Sequence, residues 1–142
     1  MNRADYPHFL SIPTRWMDND AYGHVNNVIY YSWIDTLVNR YLIDHAGLDI
    51  HAAPIVGYCV DSGCTYRRSF TFPEVVQAGL CVNKLGSRSV RFGIGLFGES
   101  EDTPRATGFF VQVYVDRASN RSVSVPERIR AALQTIFVEG KS

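Results

Sequence analysis

The stretch from Asn27 to Ala46 constrains this chain more than any other. Polar Ser32, Asp35, Thr36, Asn39 and Arg40 recur at three-to-four spacing along one face, while Tyr30, Trp33, Ile34, Leu37, Val38, Tyr41 and Leu42 fill the rest. That period predicts a helix of about 20 residues, roughly 30 Å long, with Gly47 as its C-terminal stop. Its apolar arc is wider than a helix lying on one side of a flat sheet needs. Other parts of the chain must wrap around it.

The wrapping material follows directly. Ile55–Tyr66, Val75–Leu85, Ser89–Gly98 and Ala106–Asp116 read as strands, preceded by a shorter one at Phe9–Arg15. Val76, Ala78, Leu80 and Val82 alternate with Gln77, Gly79, Cys81 and Asn83, and Val90, Phe92, Ile94 and Leu96 alternate with Ser89, Arg91, Gly93 and Gly95. One face is apolar and the other small or polar. Thr107–Val115 is more continuously apolar, which predicts a central strand covered on both faces or a strand at a subunit contact. Short turns at Phe72-Pro73-Glu74, Gly86-Ser87-Arg88 and Glu99–Pro104 favour hairpins, and Ser124-Val125-Pro126 opens a final helix through Phe137 with proline in its first turn. The fold class is therefore α+β, an antiparallel sheet of about five strands wrapped around one long central helix, plus a C-terminal helix. With no repeat or linker, residues 1–142 read as one domain.

A chain of 142 residues buries enough core to need no disulfide or metal staple. Cys59, Cys64 and Cys81 form no C-x-x-C pair and leave an odd count, so they suit a reducing compartment and read as buried or half-buried small hydrophobes. No basic-then-apolar leader is present, and no apolar run approaches the roughly 18 residues of a membrane span. A soluble, cytoplasmic protein with no membrane partner is expected. Net charge is zero, with residues 1–66 at about −4 and residues 67–142 at about +4. This asymmetry is too mild for a nucleic-acid partner, yet it suits a small polyanion. Arg67, Arg68, Arg88, Arg91, Arg117, Arg121 and Arg128 are the available cations, each of which is equally explained as the solvated end of a strand or helix.

Immediately ahead of the helix, Arg15–Tyr30 reads RWMDNDAYGHVNNVIY. Asp, Asn and Gly before a helix satisfy ordinary capping, but one or two polar residues suffice for that. Here Asp18, Asn19, Asp20, His24, Asn26 and Asn27 crowd one approach. A helix start offers unpaired N–H groups and the positive end of the dipole, which favour a developing oxyanion, and Asp18, Asp20 and His24 supply bases or nucleophiles. The segment reads as a reaction site.

The string Asp18-x-Asp20-x-x-Gly23-His24-Val25-Asn26-Asn27-x-x-Tyr30 continues into Trp33-x-Asp35. Together with Phe72-Pro73, the Leu85–Ser89 turn and the Phe109–Val115 strand, it resembles the hotdog-fold acyl-CoA thioesterases of the 4-hydroxybenzoyl-CoA thioesterase-like family. The resemblance implies the hotdog fold and hydrolysis of an acyl-CoA or related acyl thioester, with no metal and no cofactor beyond the CoA of the substrate. It implies Asp20 as the catalytic carboxylate, nucleophile or general base. It places the Asn27 backbone N–H on the thioester oxygen, gives His24 an assisting role, and leaves Asp18 to brace the turn. Tyr30 falls within the motif as a substrate-binding residue, and Arg67, Arg68, Arg88, Arg91 and Arg128 are the candidates for the CoA phosphates. It further implies subunits joined edge to edge into a homodimer or homotetramer with shared sites. The chemistry agrees: a thiol with a pKa of about 8.5 leaves with little need of a general acid, so one carboxylate is enough.

Other constellations carry less. Ser62 and Ser89 lack a nucleophile elbow. His8, His24, His45 and His51 lack zinc spacing. Gly93, Gly95 and Gly98 sit inside an alternating strand and read as close packing or bulges, not a phosphate loop. Two alternatives stay open: a hydratase or dehydratase using Asp18 with His24, and an acyl-CoA-binding protein without turnover. Trp33, Tyr58, Tyr66, Phe70 and Phe72 are available to an acyl pocket, although aromatic residues so spaced are also ordinary core.

Overall fold

In the computed structural model, which describes residues 1–139, helix α1 spans Asn27–Ala46 with the ends the sequence sets. Residues 140–142, counted above in the single domain, lie outside the described residues. Asn26 starts the helix by accepting the Val28 N–H on its side-chain oxygen at 3.0 Å, which satisfies one orphan donor of the first turn. Gly47 ends it in the left-handed region at φ 65°, and Leu48 N–H then reaches back to the Leu42 carbonyl at 3.1 Å. Tyr30, Trp33, Ile34, Leu37, Val38, Tyr41, Leu42 and Ala46 are buried along one face. Leu37 and Val38 are buried completely, and each such side chain contributes about 1.5–3 kcal/mol.

The helix packs on a five-stranded antiparallel sheet made of β1 (His8–Pro13), β2 (Ile55–Tyr66), β3 (Val75–Leu85), β4 (Ser89–Phe97) and β5 (Ala106–Asp116), in the order β1-β3-β4-β5-β2. The core forms between α1 and the inner face, where Val76, Ala78, Leu80, Val82, Phe92, Ile94 and Leu96 meet the helix. This is the sheet wrapped around one long helix that the sequence pattern predicts, and the hotdog fold that the resemblance implies. Helix α2 (Glu127–Gln134) closes one end of the core through Ile129 and Leu133.

Several expectations shift. β1 begins one residue earlier and stops at Pro13, because Thr14 turns its hydroxyl onto the Glu74 carbonyl at 2.6 Å and Trp16–Asp18 coil into a 3-10 turn. α2 ends at Gln134 rather than Phe137, since Phe137 and Val138 leave to pair with Val82; Pro126 lies just before the helix as its N-cap. β5 is interior, but only its inner face is covered; Phe109, Val111 and Val113 on the outer face are half-buried in the single chain. Cys59 is exposed, contrary to its reading as a buried hydrophobe, because β2 is an edge strand whose register breaks between Cys59 and Asp61. Gly93 and Gly95 are close-packing positions: a Cβ at Gly95 would come within 2.7 Å of the Tyr6 ring. Tyr6, Cys81 and Phe97 thereby form a second, smaller cluster on the outer face.

Candidate active site

The residues before α1 fold into two nested turns. In the first, Arg15 N–H donates to Asp18 Oδ2 at 2.8 Å, and its guanidinium donates to Oδ1 at 2.8 and 3.0 Å. The Asp18 carbonyl accepts Asn26 N–H at 2.9 Å, so this residue, 1% exposed, ties both ends of the loop together. Its carboxylate is fully engaged in bracing. In the second turn Asp20 N–H donates to the His24 carbonyl at 2.8 Å and Gly23 N–H to the Asp20 carbonyl at 3.1 Å. Gly23 takes φ 81°, a conformation that a side chain would strain.

This second turn holds the Asp20 carboxylate in place. Oδ1 accepts Tyr22 N–H at 2.8 Å and His24 N–H more loosely at 3.4 Å, while Oδ2 has no partner among the described residues. The loop is pinned from behind by the segment after β2, with Val25 N–H on the Phe70 carbonyl at 2.9 Å, the Thr71 hydroxyl on the Gly23 carbonyl at 2.8 Å and Phe72 N–H on Asn19 Oδ1 at 3.1 Å.

At the start of α1 the donors divide. Val28 N–H goes to the Asn26 side chain and Ile29 N–H to the Asn26 carbonyl, whereas Asn27 N–H has no acceptor among the described residues. Asp20, His24, Asn27 and Tyr30 line one cavity of about 340 Å³, walled on its far side by Tyr66, Arg67 and Arg68. An unpaired helix-start donor and a fixed carboxylate thus share one space. Tyr30 accepts Phe70 N–H on its hydroxyl at 3.4 Å, and burial pushes its phenol pKa up, so it stands there as a neutral donor.

Tyr66 belongs to this site, although the motif does not contain it. Its hydroxyl donates to the Asn27 carbonyl at 3.3 Å and its ring stands edge-on to Tyr30 at 4.9 Å. Of the other aromatic residues considered, Trp33 and Phe70 are core, Tyr58 is exposed on β2, and Phe72 packs against exposed Trp16. Arg105, only 7% exposed, is a residue that sequence reasoning passes over. It is held by Glu101 at 2.6 and 2.9 Å and Glu74 at 3.0 Å, and its guanidinium lies 4.7 Å from the Phe70 ring centre. Its carbonyl accepts both Arg67 and Arg68 N–H groups, and it donates to the Ser69 carbonyl, so it shapes the cavity wall. Bonding to Glu101 raises the Arg105 pKa further, and Arg105 holds the Glu101 carboxyl below its usual range.

The substrate-binding candidates separate in space. Tyr30, Arg67 and Arg68 reach the cavity. Arg88 lies on the β3–β4 turn and Arg128 packs over Gly47 at the C-terminal end of α1, both at the opposite end of the subunit. Arg91 is on the outer face of the sheet, stacked over Phe109. Among the described residues no three His, Cys, Asp or Glu side chains group as metal ligands would.

The sequence profile of the thioesterase-like superfamily matches residues 14–133. The chain belongs to that superfamily. Among solved structures, this thioesterase-like protein is similar to the PA5185 protein of Pseudomonas aeruginosa, at 46% identity and a TM-score of 0.94 over 96% of this chain and 95% of that one. It also resembles PA2801 from the same organism, described as a candidate thioesterase, at 31% identity and a TM-score of 0.84 over 89% and 98% of the two chains. The BH1999 gentisyl-coenzyme A thioesterase shares the fold at 19% identity and a TM-score of 0.79, over 89% and 99% of the two chains. So does SAV2348 of Staphylococcus aureus, solved in complex with CoA, at 16% identity and a TM-score of 0.82, over 89% and 80%. Among curated protein sequences none matches the chain. No helix among the described residues is long and apolar enough to cross a membrane.

Proposed function

We propose that this thioester hydrolase cleaves an acyl-CoA, or a related acyl thioester, to the free acid and the thiol in the cytoplasm. Asp20 is the nucleophile or general base, and Asn27 N–H is the oxyanion donor. One observation carries the proposal: the first helical N–H is left without an acceptor among the described residues, in a residue that lines the same cavity as the Asp20 carboxylate. In the general-base form, Asp20 takes a proton from water as the water oxygen bonds to the carbonyl carbon. The oxygen that becomes negative is held by Asn27 N–H at the positive end of α1. The C–S bond then breaks, and the departing thiolate takes up the proton. In the nucleophile form, the Asp20 carboxylate displaces the thiolate and water hydrolyses the resulting anhydride. His24, which lines the same cavity, orients the water or the carboxylate.

The Asp18–His24 acid/base pair of a hydratase is disfavoured because the Asp18 carboxylate is occupied by Arg15 and lies outside the cavity. A CoA thioester as substrate is supported by two proteins of the same fold, one named for a CoA thioester and the other holding CoA. The mechanism needs no metal and no cofactor, so dialysis against a strong chelator should leave the rate unchanged. Activity lost to the chelator and restored by zinc or manganese would contradict it. The direct test is thiol release across a panel of acyl-CoAs, with kcat/KM on the best substrate expected at about 10⁴ M⁻¹s⁻¹ or more. Tight binding of acyl-CoAs without any thiol release would show a binding protein instead.

A further inference from the structure

The pairing register arranges the outer face of the sheet in rows. Asp61, Val111 and Arg91 form one row, Gly63, Phe109 and Gly93 the next, and Thr65, Thr107 and Gly95 a third. Where glycine flanks Phe109 on both sides, the face sinks into a cavity of about 250 Å³ bounded by Thr65, Thr107, Arg67, Arg91 and Tyr6. The depression depends on those glycines: a Cβ at Gly93 would collide with the Asn83 and Cys81 side chains, and one at Gly63 with the Phe109 ring.

The cavity is cationic. Among the described residues no carboxylate lines it, and neither the Arg67 nor the Arg91 side chain has an ion pair or a hydrogen bond. The Arg91 guanidinium is instead stacked 4.2 Å from the Phe109 ring centre. Such stacking fixes the plane of the guanidinium and leaves its N–H edge available, an arrangement suited to the paired oxygens of a phosphate. Threonine hydroxyls on the facing side add neutral donors. Arg67 also lines the Asp20 cavity, so the two spaces adjoin at the end of β2.

We propose that this outer-face cavity is a phosphate-binding site, with Arg91 and Arg67 as its cations and Thr65 and Thr107 as supporting donors. The phosphate comes either from the CoA moiety of the substrate, which rests on the thioesterase assignment, or from a free phosphorylated ligand. Calorimetric titration of the full chain with adenosine 3′,5′-bisphosphate and with inorganic phosphate tests binding independently of turnover. Saturable binding of at least one probe is expected, weakened about tenfold or more in Arg91→Gln and weakened also in Thr107→Val, with both variants melting as cooperatively as the parent. Kinetics then separate the sources. If kcat/KM of Arg91→Gln falls about tenfold further on an acyl-CoA than on the matching acyl-N-acetylcysteamine thioester, which has no phosphate, the site reads the substrate. If probe binding is lost without that difference, the site takes a free phosphate. Absence of saturable binding, or binding equal in parent and both variants, would overturn the site. Intact probe binding in a protein that releases no thiol would refute the catalytic assignment and leave the site standing.

Discussion

Asp18 and Asp20 are two residues apart, yet their surroundings differ. Asp18 is buried and satisfied by Arg15 on both oxygens, whereas Asp20 keeps one oxygen free in a cavity. Asp18→Asn should therefore act on stability, costing about 1–3 kcal/mol in a urea melt through a weakened charge-assisted bond to Arg15. An unchanged melt would show that the brace is unimportant. The motif's spacing alone leaves Asp18 and Asp20 as equal candidates; the bracing place of Asp18 is the one the family resemblance implies. Arg105 was not legible, because a guanidinium at a strand start looks the same in sequence whether it is solvated or, as here, enclosed by Glu101, Glu74 and the Phe70 ring. Tyr66 was available to the pocket in the sequence, but its contact with the helix start was not legible: only the pairing of β2 with β5 brings its hydroxyl to the first residue of α1.

At the level of elements, α1 was legible to the residue because its signals are local: an Asn cap, a three-to-four period and a left-handed glycine stop. Asn26→Ala should lower stability by about 1 kcal/mol in thermal or urea unfolding, as loss of a side-chain cap generally does. Elements whose ends depend on distant partners were less legible. The end of α2 is set by the pairing of Phe137 with Val82, and the exposure of Cys59 by the place of β2 at the sheet edge. The contact of β1 with the end of α1 carries a pH dependence. His8 packs against Tyr41 and His45, with centroids 4.9 and 5.1 Å apart, and burial followed by the neighbouring His45 lowers its pKa below the ordinary 6.5, with Asp44 opposing. The unfolded chain therefore binds this proton more readily. Its stabilising contribution is fully present above about pH 6.5 and is lost as pH falls below that value. The Tm should drop between pH 7.5 and 5.5, and His8→Gln should flatten the drop. Equal slopes in the two proteins would contradict the assignment to His8.

On the scale of the whole molecule, the cavity lies where one sheet edge ends. β2 is a twelve-residue edge strand with Tyr58 and Val60 46% and 59% exposed, while β1, the other edge, has only six residues. A long edge with apolar side chains invites pairing with a second copy, and pairing there would place the partner beside Tyr66 and Arg67 at the cavity. We propose edge-to-edge dimerisation through β2, a tetramer being its doubling. Beside the outer-face cavity, the half-buried Val111 and Val113 offer a further contact. Light scattering should report twice or four times the chain mass at micromolar concentration, and a stable, fully active monomer would refute a shared site.

The central claim is that the Asp20 carboxylate performs the chemistry. Release of free thiol from the best acyl-CoA should be followed for the parent protein, Asp20→Asn and Asp18→Asn, after unfolding curves establish how much of each variant is folded. The account predicts that Asp20→Asn loses at least about a hundredfold in kcat, roughly 3 kcal/mol of transition-state stabilisation, with its fold intact. Asp18→Asn should retain most of its turnover per folded molecule. Near-normal turnover in Asp20→Asn, or an equal loss in Asp18→Asn, would contradict it.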